Sequence, residues 1–479
     1  MLWNLSLLIM LPLVELLTAL TSKNHFTLHR ILLAAIIAIS LELSLSLPIS
    51  EKIYTIDFGF VSLKFMCDIY SYFFGILVNI VWFLTNLYSQ SYIKLNLARS
   101  KVSHFFTYLS LSIFTVFGSA YAADLWTLFI FYILLILFTA PLISQETTPS
   151  SLKARALYLT THLSSAICLL FPAIFTLQYF TGSVDFTSHP QLVSLGNDKL
   201  AAILLFLFTF GISKNCILPF HNWITRTTIA PTPISGLLHS VAAVKSGSIA
   251  AIKIVVYVFG LEYTRKLTSN FFTGGWIFYL CGLTAVYAAY RAFKTTNVKK
   301  RFAYSTISQL SYILSSVMIA TPLALMGAVL HIISHSLSKI VLFYISGIFT
   351  TVYQAHSTAE AARIAPNIRT WIACLGFCGA SIIGIPLLPG SYGKDFMLIS
   401  EFQTHHYASL IFLVTGSLIN ILYIYPIIKA AFFNKKDPAI KSRKIPPSMR
   451  LAILSGVAIS VLISLFISDI VKFFETYNV

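Results

Sequence analysis

Repeated runs of about twenty apolar residues, broken by short polar stretches, constrain this chain more than any other feature. A bilayer's hydrocarbon core is about 30 Å thick, and a helix needs about 20 apolar residues to cross it. Fourteen such runs centre on residues 1–20, 28–48, 65–88, 103–122, 124–144, 155–180, 200–219, 231–260, 271–292, 301–320, 323–352, 370–402, 408–432 and 450–471. They lack the alternation of a membrane barrel, and a helix satisfies its own backbone polar groups inside lipid. The chain is 57% hydrophobic and 10% charged, with a mean hydropathy of +0.81, too apolar for a soluble core with a wetted surface. The expected fold is an all-α polytopic membrane protein whose main solvent is the lipid bilayer. The first run has no basic region before it and no small-x-small cleavage site after it, so it reads as a retained span.

A formal net charge of +17 would suit nucleic acid in a soluble protein. Here the basic residues fall in alternate connections between runs, where the preference of cationic loops for the inner side explains them, and no nucleic-acid partner is expected. The opposite connections hold only Lys52, Lys64, Lys199, Arg265, Lys266 and Lys472. Both termini are therefore expected on the outer side of a bacterial inner membrane or an equivalent energy-transducing membrane. The densest basic stretch, Lys435, Lys436, Lys441, Arg443 and Lys444, reads as a solvated inner loop near anionic lipid. The six cysteines form no CxxC pair and no spacing with histidine that suits a metal. No GxGxxG, P-loop or cluster-ligating pattern occurs, so neither cofactor nor metal is expected, and transport fits better than autonomous redox catalysis.

Within the runs lie Lys214, Lys245, Lys253, Lys339 and Lys394. A lysine at the bilayer centre costs about 2.5–3.5 kcal/mol on insertion scales, so five point to function. Lys214 precedes Pro219 by five residues, where a proline opens a helix toward a cavity; snorkelling from a helix end is the plainer alternative. Lys245 sits about a dozen residues from either end, among Ala242, Ala243, Ser246, Gly247 and Ser248, with His239 on the same run. For Lys253 an interfacial position and a relay role are equally open. His331, His335 and Lys339 recur every four residues and share one helical face, stacked about 6 Å apart, a chain along which protons can hop through water. Lys394 follows Pro386, Pro389, Gly390 and Gly393, which unwind a second span. Two interrupted spans in corresponding places indicate an internally repeated transporter with two inverted five-helix units. The expected organisation is three N-terminal helices over 1–102, repeats over 103–260 and 271–432, and a basic loop with the last helix over 433–479. Asp68 and Asp124 open spans, where helix capping explains them.

The motifs PFHNW at 219–223, APTPISGLLHSVAAVKSG at 230–247, KRFAYSTISQLSY at 300–312, HIISHSLSKIVLF at 331–343 and GIPLLPGSYGKDF at 384–396 resemble the antiporter-like family shared by Mrp-type cation/proton antiporters, membrane-bound hydrogenases and respiratory complex I. The resemblance runs over most of the chain and leans toward the D-type subunit of the Mrp antiporters. It implies that Lys214 matches the lysine of the seventh helix, His239 and Lys245 the relay of the eighth, His331, His335 and Lys339 the eleventh, and Lys394 the twelfth. It also implies other membrane subunits as partners and protons, with Na+ as the counter-ion, as cargo. The family pairs its seventh-helix lysine with a glutamate in a stretch resembling TLFIFYELL; this chain reads TLFIFYILL, with Ile133 at that place. A neighbouring subunit supplying the carboxylate is one reading of that loss. The alternatives to an Mrp-type antiporter subunit are a proton-pumping subunit of an NADH:quinone oxidoreductase and a scaffold that no longer conducts.

Overall fold

The computed structural model describes residues 2–21, 26–59, 61–438, 440 and 443–477; Lys441 of the basic loop lies outside them. The architecture is almost wholly helical. In chain order it comprises α1 (Leu2–Thr21), α2 (Phe26–Ser46), an antiparallel hairpin of β1 (Ser50–Asp57) and β2 (Ser62–Cys67), α3 (Ile69–Asn96), α4 (Val102–Ala120), α5 (Leu125–Ile143) and α6 (Pro149–Thr181). There follow α7 (Asp198–Gly211), α8 (Asn222–Arg226), α9 (Thr232–Phe259), α10 (Phe271–Lys294), α11 (Val298–Ile319) and α12 (Pro322–Val352). The last five are α13 (Arg369–Ile383), α14 (Pro389–Gln403), α15 (Tyr407–Phe433), α16 (Pro447–Leu465) and α17 (Ile467–Glu475), with short connecting helices elsewhere.

Among the described residues, ten helices are long and apolar enough to cross a membrane, with shorter apolar helices at Trp3–Ala19 and Arg369–Ile383. Length and hydropathy therefore do not recover all fourteen expected runs: the run at 1–20 appears only as the shorter helix Trp3–Ala19, and three others are lost for two physical reasons. The runs at 200–219 and 370–402 are broken, after Gly211 and after Ile383. The run at 301–320 is one continuous helix, α11, but its serines, Thr306 and Gln309 dilute its apolar character. A further difference lies at 65–88: its first residues, Phe65–Cys67, are strand, and the helix starts only at Ile69.

Burial orders the helices. Every residue in the most apolar stretch of α12 is buried, and 94% in α9, against 33% in α15 and 28% in α16. The two central helices thus have protein on all sides, while Leu418, Leu422 and Leu451 of the peripheral ones are exposed, as a lipid-facing surface requires. Asp68 and Asp124 do cap α3 and α5, accepting from Ser71 N at 2.6 Å and Thr127 N at 2.8 Å. The hairpin closes the end of the bundle opposite the basic loops: Met66 N donates to Tyr121 O (2.8 Å), Ala123 N to Lys64 O (2.9 Å), and Lys64 pairs with Asp185 at 2.6 Å.

Both central helices depart from α geometry. α9 carries wide π turns at Leu238–Ala242 and Ile254–Phe259, and α12 ends in one at Ile348–Val352. A π turn frees a backbone carbonyl from its usual partner, and one is used across the core: Ser336 of α12 donates to Ser240 O of α9 at 2.7 Å.

Candidate functional site

Seven titratable side chains singled out by sequence, Lys214, His239, Lys245, His331, His335, Lys339 and Lys394, are all buried, none more than 3% exposed. Lys214 sits on the short turn Ser213–Asn215 between α7 and α8, where the helix is interrupted before Pro219. Its amine donates to Tyr132 O at 3.3 Å and stands 3.8 Å from the centre of the Tyr132 ring. Ile133, one residue later, is partly buried and packs against the apolar core. The turn presses on α9 at Gly247, where a Cβ would come within 2.8 Å of Lys214 Cβ. Only a glycine lets the lysine-bearing turn approach the central helix so closely.

Beside Lys214 lies a residue that sequence reasoning missed. His162 of α6 is fully buried, its Nδ1 2.7 Å from Ser213 Oγ, and Ser165 Oγ donates to the same hydroxyl at 2.6 Å. Its ring packs edge-on to Trp223 at 4.4 Å. A single histidine carries no spacing pattern; the nearest signal is the serine pair that follows it in HLSS.

The centre of the molecule holds the rest. On α12 the rings of His331 and His335 are 5.9 Å apart, one helical turn, as their spacing demands. His331 Nε2 meets Gln309 Oε1 at 3.0 Å, and Lys339 donates to Phe302 O (2.9 Å) and Ser305 Oγ (2.8 Å), both on α11. On α9, His239 stacks on Phe343 at 4.3 Å with Nδ1 3.3 Å from Thr306 Oγ1. Lys245 lies within electrostatic reach of His331, His335 and Lys339. At the far end Lys394, on the first turns of α14, donates to Ile383 O (3.1 Å) and Ser417 Oγ (2.8 Å) and sits 5.5 Å from the Tyr312 ring. It reaches the centre through His331, where a Cβ on Gly393 would come within 2.7 Å of the His331 backbone nitrogen.

Two features define what this cluster can do. No member takes part in any of the ion pairs among the described residues, Lys64–Asp185, Lys253–Asp68, Lys266–Asp198 and Arg363–Asp437. In addition, the Lys245 amine, both His335 ring nitrogens, His331 Nδ1 and His239 Nε2 have no hydrogen-bond partner among the described residues. Buried polar atoms are satisfied in more than about 90% of cases, so several unsatisfied ones converging on α9 and α12 are groups suited to bind and release protons or to hold bridging water.

Lys253 does not belong to this cluster. It is fully buried, donates to Ala122 O at 2.8 Å and pairs with Asp68 at 3.4 Å. The helix cap Asp68 thus doubles as its counter-ion, a contact between residues far apart in the chain.

Comparison with known proteins agrees with this fold. Residues 122–420 match the family described as NADH:quinone oxidoreductase/Mrp antiporter, transmembrane. Staphylococcus aureus chains named as the antiporter subunit mnhA2 are 26% identical over 435 residues, which is 84% of this chain and 51% of theirs, so the chain spans about half the length of these curated relatives. The motifs lean toward the D-type subunit, whereas these relatives carry a different subunit name. Among solved structures, the fold resembles a chain of the membrane-bound sulfane sulfur reductase, an archaeal respiratory membrane complex (TM-score 0.82, 18% identity, 98% of this chain and 96% of that one). It resembles equally a chain of the Mrp complex from Dietzia sp. DQ12-45-1b (TM-score 0.80, 17% identity, the same coverage). With its interrupted helices, buried amines and a match over more than half its length, the chain belongs to the NADH:quinone oxidoreductase/Mrp antiporter transmembrane family.

Proposed function

We propose that this chain is a proton-translocating membrane subunit of an Mrp-type monovalent cation (Na+)/H+ antiporter complex, with Lys214, His239, Lys245, His331, His335, Lys339 and Lys394 forming its relay. The observation that carries the reading is the set of amines and imidazoles enclosed around α9 and α12 which, among the described residues, have no carboxylate counter-ion and several unsatisfied nitrogens. Purely structural polar groups are satisfied by their neighbours, whereas a relay needs groups whose hydrogen bonds can be made and broken. Lys214 would hand protons toward Lys245 across the Gly247 contact, the stacked histidines would carry them along α12, and Lys394 would receive them at the second helix break. The two halves, over 103–260 and 271–432, would supply one broken helix each, working with other membrane subunits of the same complex.

The test is proton flux in everted vesicles. Lys394→Ala and His335→Ala should each abolish the pH gradient response while the complex still assembles. Unchanged flux in both, with assembly intact, contradicts the reading. A second reading, a scaffold that keeps the fold without conducting, is favoured by Ile133 and by the Tyr132 ring in contact with Lys214. On that reading Ile133→Glu creates flux where the parent chain shows none; on the first it changes an existing rate.

A further inference from the structure

Beyond Lys394 on α14 lies a buried acid that the relay does not include. Glu401 is completely buried. It follows Lys394 by seven residues, so both lie on the same side of the helix, about 10 Å apart along its axis. Ser409 of α15 donates to Glu401 Oε1 at 2.6 Å, while Oε2 has no partner among the described residues. Ser409 in turn shares a 2.7 Å hydrogen bond with Ser315 of α11. It also lines a cleft of about 410 Å³, with Thr404, His405, His406 and Thr268, at the end of the bundle opposite the basic loops. One hydroxyl therefore separates the buried carboxyl from an open cleft.

Toward the interior lies Tyr312. This α11 residue has Lys394 at 5.5 Å over its ring and is an electrostatic neighbour of Glu401. The other groups around the carboxyl are few. From α15 comes Ser409, and from the residue just before that helix the His406 backbone N–H, which donates to the Glu401 carbonyl at 2.9 Å. At the start of α12, Thr321 bonds Ser400 instead. No lysine or arginine pairs with Glu401 among the described residues. An isolated carboxylate without a cation costs several kcal/mol to bury, and the same group carrying a proton does not.

We propose that Glu401 is a proton-binding site between Lys394 and the outer cleft, an outlet group for the pathway; this rests on the relay reading above. Its carboxylate accepts one proton arriving from the Lys394–Tyr312 side to become a neutral acid. The O–H bond then breaks toward Ser409 Oγ, which passes a proton to water in the cleft and leaves the carboxylate as it began.

Two measurements on the assembled complex in everted vesicles test this. Treatment with dicyclohexylcarbodiimide, which attacks protonated carboxyls in apolar surroundings, should modify Glu401 in the parent complex, more at low pH than at high pH, as read by peptide mass spectrometry. Glu401→Gln should lower proton flux at least about tenfold, and Glu401→Asp should restore part of the rate with a shifted pH profile. Absence of carbodiimide modification at every pH overturns the proposal. So does a Glu401→Gln complex with the parent's rate and pH profile while Lys394→Ala still abolishes flux, a result that leaves the relay standing. Undiminished flux in Lys394→Ala would instead overturn the relay and the outlet with it.

Discussion

At the scale of single residues, the sharpest contrast is between lysines that have an acid and lysines that do not. Lys253 and Asp68 neutralise each other in a fully buried pair, and removing one member of such a pair costs about 3–5 kcal/mol because the other charge is left stranded. Asp68→Asn keeps a side-chain oxygen for the α3 cap, so its effect isolates the ion pair. It should destabilise the protein by about that amount in thermal unfolding in detergent, and Asp68→Asn combined with Lys253→Met should recover most of the loss. A single variant as stable as the parent would show the pair to be energetically idle. Lys214, by contrast, rests on the Tyr132 ring at 3.8 Å. A cation over an aromatic face in a desolvated site gains about 2 kcal/mol; Tyr132→Phe should retain that and Tyr132→Leu should lose it, as a difference in melting temperature between the two variants. Such residues differ in how visible they are beforehand. His331, His335 and Lys339 declare themselves by a period of four, and Lys214 and Lys394 by the prolines near them. His162 and Glu401 are masked by ordinary polar neighbours such as Thr161 and Ser400, and their partners, Ser213 and Ser409, come from other segments.

At the scale of elements, the interrupted and π-turned helices place the charges. The crossing of α12 and α14 depends on Gly393, where a Cβ would meet the His331 backbone nitrogen at 2.7 Å and Gly327 O at 3.0 Å. Backbone cannot swing aside as a side chain can, so Gly393→Ala should force the helices apart, cost about 1–3 kcal/mol and depress flux by displacing Lys394 from His331. Gly376→Ala on α13, which meets nothing closer than Ile428 Cδ1 at 3.5 Å, is the control and should leave both unchanged. Outside the membrane, the short helix Thr358–Ile364 is held by a capping box in which Glu360 accepts from the backbone N–H groups of Ser357 and His356. Those bonds hold its carboxyl below the usual range. The stabilisation is therefore present at neutral pH and is lost as pH falls through the depressed value, not as it rises. The protection of amides in 358–364, measured against their intrinsic exchange rate at each pH, should fall on acidification in the parent and be low at all pH values in Glu360→Ala. The breaks themselves were readable from proline and glycine, and the caps from Asp68 and Asp124. The hairpin was not, because Phe65–Cys67 are apolar residues that extend a helical run without a gap, and only their pairing with β1 and with the α4–α5 connection distinguishes them.

At the scale of the whole molecule, two fully enclosed helices crowded with amines and imidazoles sit within a ring of lipid-facing ones. Composition and run length were enough to announce the membrane fold, since no other architecture buries so much apolar surface with so few charges. They did not announce which helices lie at the centre, because α9 and α12 are no more apolar than α15; burial by neighbours, not hydropathy, separates them. On the relay reading these enclosed groups exist to move protons and not to hold the bundle together, and Lys245 puts the two roles in opposition. Its amine is buried with no hydrogen-bond partner and no counter-ion among the described residues, so an apolar residue of similar length removes a burial cost and should leave the protein as stable as the parent or more so. The decisive measurement is proton flux together with thermal stability for Lys245→Met in the assembled complex. A relay lysine should leave a protein at least as stable as the parent whose flux is abolished; a Lys245→Met complex that still conducts at the parent's rate would contradict the relay.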